Sequence, residues 1–288
     1  MKETKKFLEE RWFGNFGRVY LAVTAFLQKG EKIEDSKLPL TEEGFVDLSY
    51  YSAPKEYSKH NSNAGRHVKY VSGSICIKNI SFQGFDFTGA NFERCHFNNC
   101  SFKNCKFENT RCVAADFDGC TFNDILFLKT QFSHSTLAPN GIFFKTLKSN
   151  FQNVIFEKAN LTEVHVHDQQ FKNCLFSDCK TGALLFSSCY LEQIKFTGTA
   201  KGIFFKKSKT KSGIDFSNAE VADIQIIDDN EQGIIFPTGE SYYLFKDKVK
   251  ELDNIKLLTE LSETQQELIK NSLNLWKSWP EIFRILTG

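Results

Sequence analysis

Over 288 residues, 36 basic side chains face 35 acidic ones and leave a formal charge of +1, which excludes a general attraction to nucleic acid or to an anionic membrane. The length allows one large domain or two small ones. Nine cysteines, an odd number, fit a reducing compartment better than a secreted disulfide framework.

The chain starts MKETKKFLEERWF, which lacks the apolar core of a cleaved signal peptide. The longest nearly apolar run, Val19 to Leu27, is too short to cross a bilayer. The expected place of action is therefore the cytoplasm of the producing cell, or a site reached without a cleaved leader. Residues 4–28 predict a helix, because Phe7, Leu8, Trp12, Phe16, Val19, Tyr20, Val23, Phe26 and Leu27 recur at three to four residues. Gly14 and Gly17 weaken its middle. Such a stripe packs on its own protein, on a partner or on a membrane surface. Leu40 to Leu48 reads as a short helical or extended piece. Tyr50 to Tyr70, rich in Ser, Asn, Lys and His, reads as a loop.

From Ser81 to Leu137 the pattern changes. Phe82, Phe87, Phe92, Phe97, Phe102, Phe107, Phe117, Phe122, Phe127 and Phe132 fall every fifth residue, with Cys112 in phase and Leu137 closing the run. Two positions before each sits a smaller residue, such as Ala90, Cys95, Cys100, Cys105, Thr110, Ala115, Cys120 or Thr130; Phe85 and Ile125 are the large exceptions. A period of five is neither helical nor that of an ordinary strand. Gly84, Gly89, Asn99, Asn104, Asn109, Gly119 and Asp124 recur two places after the aromatic, where a tight corner needs positive φ. Each pentapeptide is then an extended piece with a corner, and four pieces close a square coil. Coils stack at about 4.8 Å, with Phe82, Phe102 and Phe122 on one wall and Phe87, Phe107 and Phe127 on the next.

This pattern resembles the pentapeptide-repeat family over roughly Ile75 to Phe236. The resemblance implies an all-β repeat solenoid, a right-handed quadrilateral β-helix, and no family-wide catalytic motif. Glu10-Arg11-Trp12-Phe13 and Leu40-Thr41-Glu42-Glu43-Gly44-Phe45 are similar to what precedes the repeats in some type III secreted pentapeptide-repeat effectors of enteric bacteria. That second resemblance implies an uncleaved export signal and action inside a host cell.

Pro139-Asn140-Gly141 interrupts the repeats. Phase resumes one residue short of a multiple of five, with Phe151, Phe156, Leu161, Val166, Phe171, Phe176, Phe186, Leu191 and Phe196, then Phe216, Val221, Ile226 and Phe236. Gly202-Ile203-Phe204-Phe205 echoes Gly141-Ile142-Phe143-Phe144 and Gly233-Ile234-Ile235-Phe236. These read as modified coils with corners bulging into longer loops. From Ser241 the pattern turns helical through Leu244, Phe245, Val249, Leu252, Ile255, Leu258 and Leu261. Ser262 to Gln265 has capping-box spacing, and Pro280 ends the last helix. Three parts follow: 1–74 helical and irregular, 75–240 a β-helix of about eight coils, and 241–288 a helical cap, which a solenoid end requires. A homodimer through the terminal helices is the rival role for that cap.

Chemistry-bearing residues are few. His165-Val166-His167-Asp168 is the most ligand-like cluster, but a metal needs further ligands at fixed geometry. Cys112 beside Arg111 offers a cation to lower a thiol pKa, although its phase predicts burial. Lys206-Lys207-Ser208-Lys209-Thr210-Lys211 reads as a solvated basic loop or an anion contact. No motif specifies a cofactor. Apolar residues stand where the phase calls for polar ones: Leu126, Leu128, Ile155, Leu175 and Leu185, with Phe143, Phe144, Phe204 and Phe205 as aromatic surplus. Exposed apolar patches mark interfaces, unless the terminal helices cover them. The sequence thus points to a non-enzymatic scaffold for a protein partner. A DNA-mimicking protector of type II topoisomerases is a rival, weakened because residues 80–240 hold 16 Lys/Arg against 18 Asp/Glu. An enzyme with a site built from loops 138–150 or 197–213 is the other.

Overall fold

Stacked aromatic rings set the repeat in the computed structural model, which describes residues 12, 23–28, 39–54, 56–61, 67–73, 75–137, 149–227, 233–237, 242–245 and 282–287. Phe82, Phe102, Phe122, Phe151 and Phe171 form one column, with ring centroids 4.9, 4.8, 4.7 and 4.4 Å apart in sequence. Phe87, Phe107, Phe127, Phe156, Phe176, Phe196 and Phe216 form the next, at 4.7 to 5.1 Å. These separations match the spacing of hydrogen-bonded strands, about 4.7–4.9 Å. Pairing is parallel and in register, as in Phe82↔Phe102 and Phe127↔Phe156. The two columns are the walls expected from the sequence.

Each turn of the solenoid has four faces. The first holds Ile77, Phe97, Phe117, Val166, Phe186, Phe205 and Ile226 inside. The second and third hold the columns above. The fourth, built from isolated bridges through Asn91, Arg111, Gln131, Asn160 and Lys180, buries Phe92, Cys112, Phe132, Leu161 and Thr181. Corners take left-handed backbone, at Asn99, Asn104, Asn109 and Asp124 among others (φ 50 to 56°). Asparagine pays little steric penalty there and ties the corners together: Asn99 Nδ2 donates to Asn79 Oδ1 at 2.8 Å, and Asn173 to Asn153 likewise.

Size alone suffices at the small position for Ala90, Ala115 and Ala159. Cys, Ser and Thr there add a donor to an inward carbonyl of the preceding coil. Cys105 Sγ reaches the Phe82 carbonyl at 3.4 Å, Cys174 that of Phe151 at 3.5 Å, and Thr110 Oγ1 that of Phe87 at 2.8 Å. Cys, Ser and Thr are therefore interchangeable there, being small and able to donate. Gln169 is the buried exception; its Oε1 accepts from the Ser149 amide and its Nε2 donates to the His167 carbonyl at 2.6 Å.

The solenoid makes about seven turns, one fewer than the sequence reading. Register passes from Phe122 directly to Phe151, so that longer stretch of chain adds a single turn. The rungs near 196–206 also depart from the expectation of bulging loops. Tyr190–Lys206 is one continuous strand, and Leu184↔Ile203 pairing shortens the turn by one residue. Gly202 sits at the tightened corner (φ 66°), where a Cβ would meet the Ala183 amide nitrogen at 3.1 Å. The Phe143-Phe144 pair lies outside the described residues.

Both ends differ in detail from the sequence reading. At the N-terminal end the described helix, 23–28, buries Val23 and Leu27, and Phe26 packs on Phe82 and Phe85 at 6.3 and 6.5 Å. Trp12 is buried, donates Nε1–H to the Ser49 carbonyl at 2.8 Å and meets Tyr51 edge-on at 5.6 Å. The rest of the expected 4–28 helix lies outside the described residues. Residues 46–53 form half a coil below the first turn: Val46 pairs with Phe85, and Ser52 bridges to Asn91. Tyr50–Tyr70, expected to be a loop, contains most of an antiparallel hairpin, Glu56–Asn61 with His67–Gly73. At the other end, Tyr242–Phe245 is a strand where a helix was expected, consistent with its run of aromatics. It pairs antiparallel with Ile282–Thr287, which also pairs with Ile224–Ile227 at the last rung of the first face. Residues 246–281, which carry most of the expected helical cap, lie outside the described residues.

Candidate functional site

Stacking converts a five-residue phase into outward columns, and the column on the third face is the most unusual. Its residues, one per rung, are Asp86, Lys106, Leu126, Ile155, Leu175, Lys195, Asp215 and Ile235. Leu126 is 41% exposed, Ile155 40% and Ile235 54%. Leu175 is half-buried. Leu128 lies two residues along the same strand as Leu126, half-buried between Glu108 and Glu157 in the flanking rungs. Leu126, Leu128, Ile155 and Leu175 are thus one apolar strip across three successive rungs.

Leu185 does not join it. It stands on the first face, half-buried, in register with His165 and Phe204. Phe205 is core rather than surplus, 2% exposed and stacked on Phe186 at 5.3 Å. Ile235 was missed because three consecutive apolar residues hide its phase; continuing the rung count from Asp215 finds it.

Several polar groups elsewhere are paired between neighbouring rungs. Lys172 meets Glu192 at 3.3 Å, Arg111 meets Glu93 at 3.3 Å, and His134 meets Glu163 at 2.8 Å. His96 Nδ1 lies 2.8 Å from Asp116 Oδ2, and that hydrogen bond holds its pKa above the ordinary histidine value against the lowering effect of partial burial.

The other candidate residues fall apart or move. His165 and His167 point outward from one strand. Among the described residues, no three His, Cys, Asp or Glu groups come together to hold a metal. Cys112 is 1% exposed, and burial pushes its thiol pKa far up, despite Arg111 next to it. Burial likewise raises Cys105 to about 11 and Cys174 and Cys179 to about 12. Cys76 is the one exposed cysteine among the described residues. Expected loop 197–213 is mostly strand, and 138–148 lies outside the described residues. The basic segment 206–211 is not a free loop either: Lys209–Thr210 pairs with Tyr190–Leu191. With Asp168, Gln170, Tyr190 and Glu192, its Lys207, Lys209 and Lys211 line a concavity of about 750 Å³.

Residues 81–137 match the family model for pentapeptide repeats, in eight copies. That segment of the chain is built of pentapeptide repeats. Solved structures that match the chain include QnrB1, a plasmid-mediated fluoroquinolone resistance protein, at 10% identity and TM-score 0.36, covering 58% of this chain and 92% of that one. HetL, involved in heterocyst differentiation regulation in the cyanobacterium Nostoc, shares 10% identity at TM-score 0.23, covering 68% of this chain and 89% of that one. A pentapeptide-repeat protein of the Arabidopsis thaliana thylakoid lumen shares 17% at TM-score 0.22, covering 48% and 68%. No curated protein sequence matches the chain.

Proposed function

We propose that this chain is a non-enzymatic scaffold that binds a protein partner through the apolar strip Leu126, Leu128, Ile155 and Leu175. The observation that carries this is the alignment of Leu126, Ile155 and Leu175 on consecutive parallel rungs, with the first two about two-fifths exposed. Rigid in-register stacking fixes the strip before binding, so little ordering entropy opposes association. The repeats serve as a frame, since function lives in sites placed on a fold. Leu185, on another face, is not part of this surface.

The likeness of residues 10–13 and 40–45 to the front of secreted effectors supports placing that partner in a host cell. A DNA-like surface needs a dense acidic rod; the near balance of charge over 80–240 and the rung-to-rung ion pairs speak against it. The test is comparative capture from eukaryotic and bacterial lysates with wild type and with Leu126→Lys/Leu175→Lys. A saturable eukaryotic partner lost in the double variant supports the reading. Identical capture by both proteins rejects this face.

A further inference from the structure

We propose a second site, independent of the apolar strip, where Lys207, Lys209, Lys211 and Tyr190 bind a small molecule that joins a di- or triphosphate to a planar ring. The strand order places the residues. Lys209 stands in register beside Tyr190 on the next rung. The Lys211 amide donates to the Leu191 carbonyl at 3.1 Å, just past the end of strand Lys209–Thr210, and its side chain lines the same concavity. Lys207 occupies the adjoining corner, where the Ser188 amide holds the Lys206 carbonyl at 2.8 Å. Its φ of 53° turns it onto the edge of the same concavity. Gln170, beside Tyr190 on the preceding rung, also lines it.

Charge and size select the ligand. All three lysines are exposed, and none forms an ion pair with another described residue. Two acids also line it, Asp168 and Glu192, and Glu192 is paired with Lys172 at 3.3 Å. The lining therefore keeps a local excess of positive charge. Flexible ammonium groups so placed converge on linked phosphates as point charges. A volume of about 750 Å³ is too large for one phosphate ion and falls within the usual range for small-molecule clefts, about 300–1,000 Å³. Half-buried Tyr190, the one aromatic among the described residues of the lining, supplies the ring contact. A duplex nucleic acid would need cations along the rod, whereas the neighbouring columns carry Lys172–Glu192 and Lys195–Asp215 pairs.

The test is isothermal titration calorimetry of the full chain with ATP and, separately, inorganic tripolyphosphate. The variants are the exposed triple change Lys207→Asn/Lys209→Gln/Lys211→Gln and the single change Tyr190→Leu. Asn is chosen at 207 because it tolerates the left-handed corner. Expected results are saturable ATP binding tighter than tripolyphosphate binding, loss of at least about tenfold in the triple variant, and ATP reduced to tripolyphosphate affinity in Tyr190→Leu. Circular dichroism and the unfolding midpoint verify that each variant folds. Absence of saturable ATP binding, or equal binding by wild type and the triple variant, overturns the site. Equal wild-type affinity for ATP and tripolyphosphate overturns the ring contact.

Discussion

Leu126 lies directly beside Ile155 on the next rung of the third face, and the two central residues they precede, Phe127 and Phe156, stack inside at 5.1 Å. One register therefore fixes both the core contact and the outward apolar contact. The turn between them spans 29 residues at this level, yet the alignment is kept.

Core rings carry the stability. Phe122 is 1% exposed and sandwiched between Phe102 at 4.8 Å and Phe151 at 4.7 Å. Phe122→Ala is expected to cost about 3–5 kcal/mol through lost burial and the cavity left behind. Urea unfolding followed by circular dichroism measures it. A loss below about 1 kcal/mol would mean that the column does not hold the solenoid together.

At Cys105 the small position carries a donor as well as a small volume. Cys105→Ser keeps a donor for the Phe82 carbonyl, now 3.4 Å from Cys105 Sγ, and is expected to shift stability by less than about 1 kcal/mol. Cys105→Val removes that donor and branches the side chain in a filled corner, at a cost of about 1–3 kcal/mol. The same unfolding experiment compares them, and equal midpoints for the two variants would refute the role of the thiol donor.

Thiol reactivity follows burial. Cys76 is exposed, while the other eight cysteines are buried; Cys105, Cys174 and Cys179 have thiol pKa values raised to about 11 or 12. Brief alkylation of the native protein near neutral pH is expected to label Cys76 first, and peptide mass spectrometry reads the site. Faster labelling of Cys112 would contradict its place in the core.

Acid titration tests the rung pair His96 and Asp116. Their hydrogen bond raises the histidine pKa, so the folded state binds this proton more tightly than the unfolded chain. The resulting stabilisation is present below the ordinary histidine pKa and is lost as pH rises through the raised value. It is small, because the His96 side chain is 53% exposed. NMR titration is expected to show the His96 pKa falling toward the ordinary value in Asp116→Asn.

The five-residue phase made the four-faced core legible, since Phe at one position and a small donor at another satisfy a single geometry many times over. It did not reveal the half coil at 46–53. Two isolated units give no period, and Tyr51 occupies a slot that small residues fill elsewhere. Nor did it separate Leu185 from Leu175. The position before a central residue recurs on every face, so the face emerges only when register is counted through the interrupted turn. The strand at 242–245 was hidden because Leu244 and Phe245 also fit a helical stripe; pairing with 282–287, remote in sequence, decides between them.

The most direct measurement of the central claim is affinity capture with quantitative mass spectrometry, comparing wild type, Leu126→Lys/Leu175→Lys and, as a surface control on another face, Leu185→Lys. The account predicts a saturable protein partner that is retained by wild type and Leu185→Lys and lost by the third-face double variant, with all three proteins unfolding alike. A partner retained by the double variant, or lost equally in Leu185→Lys, would contradict it.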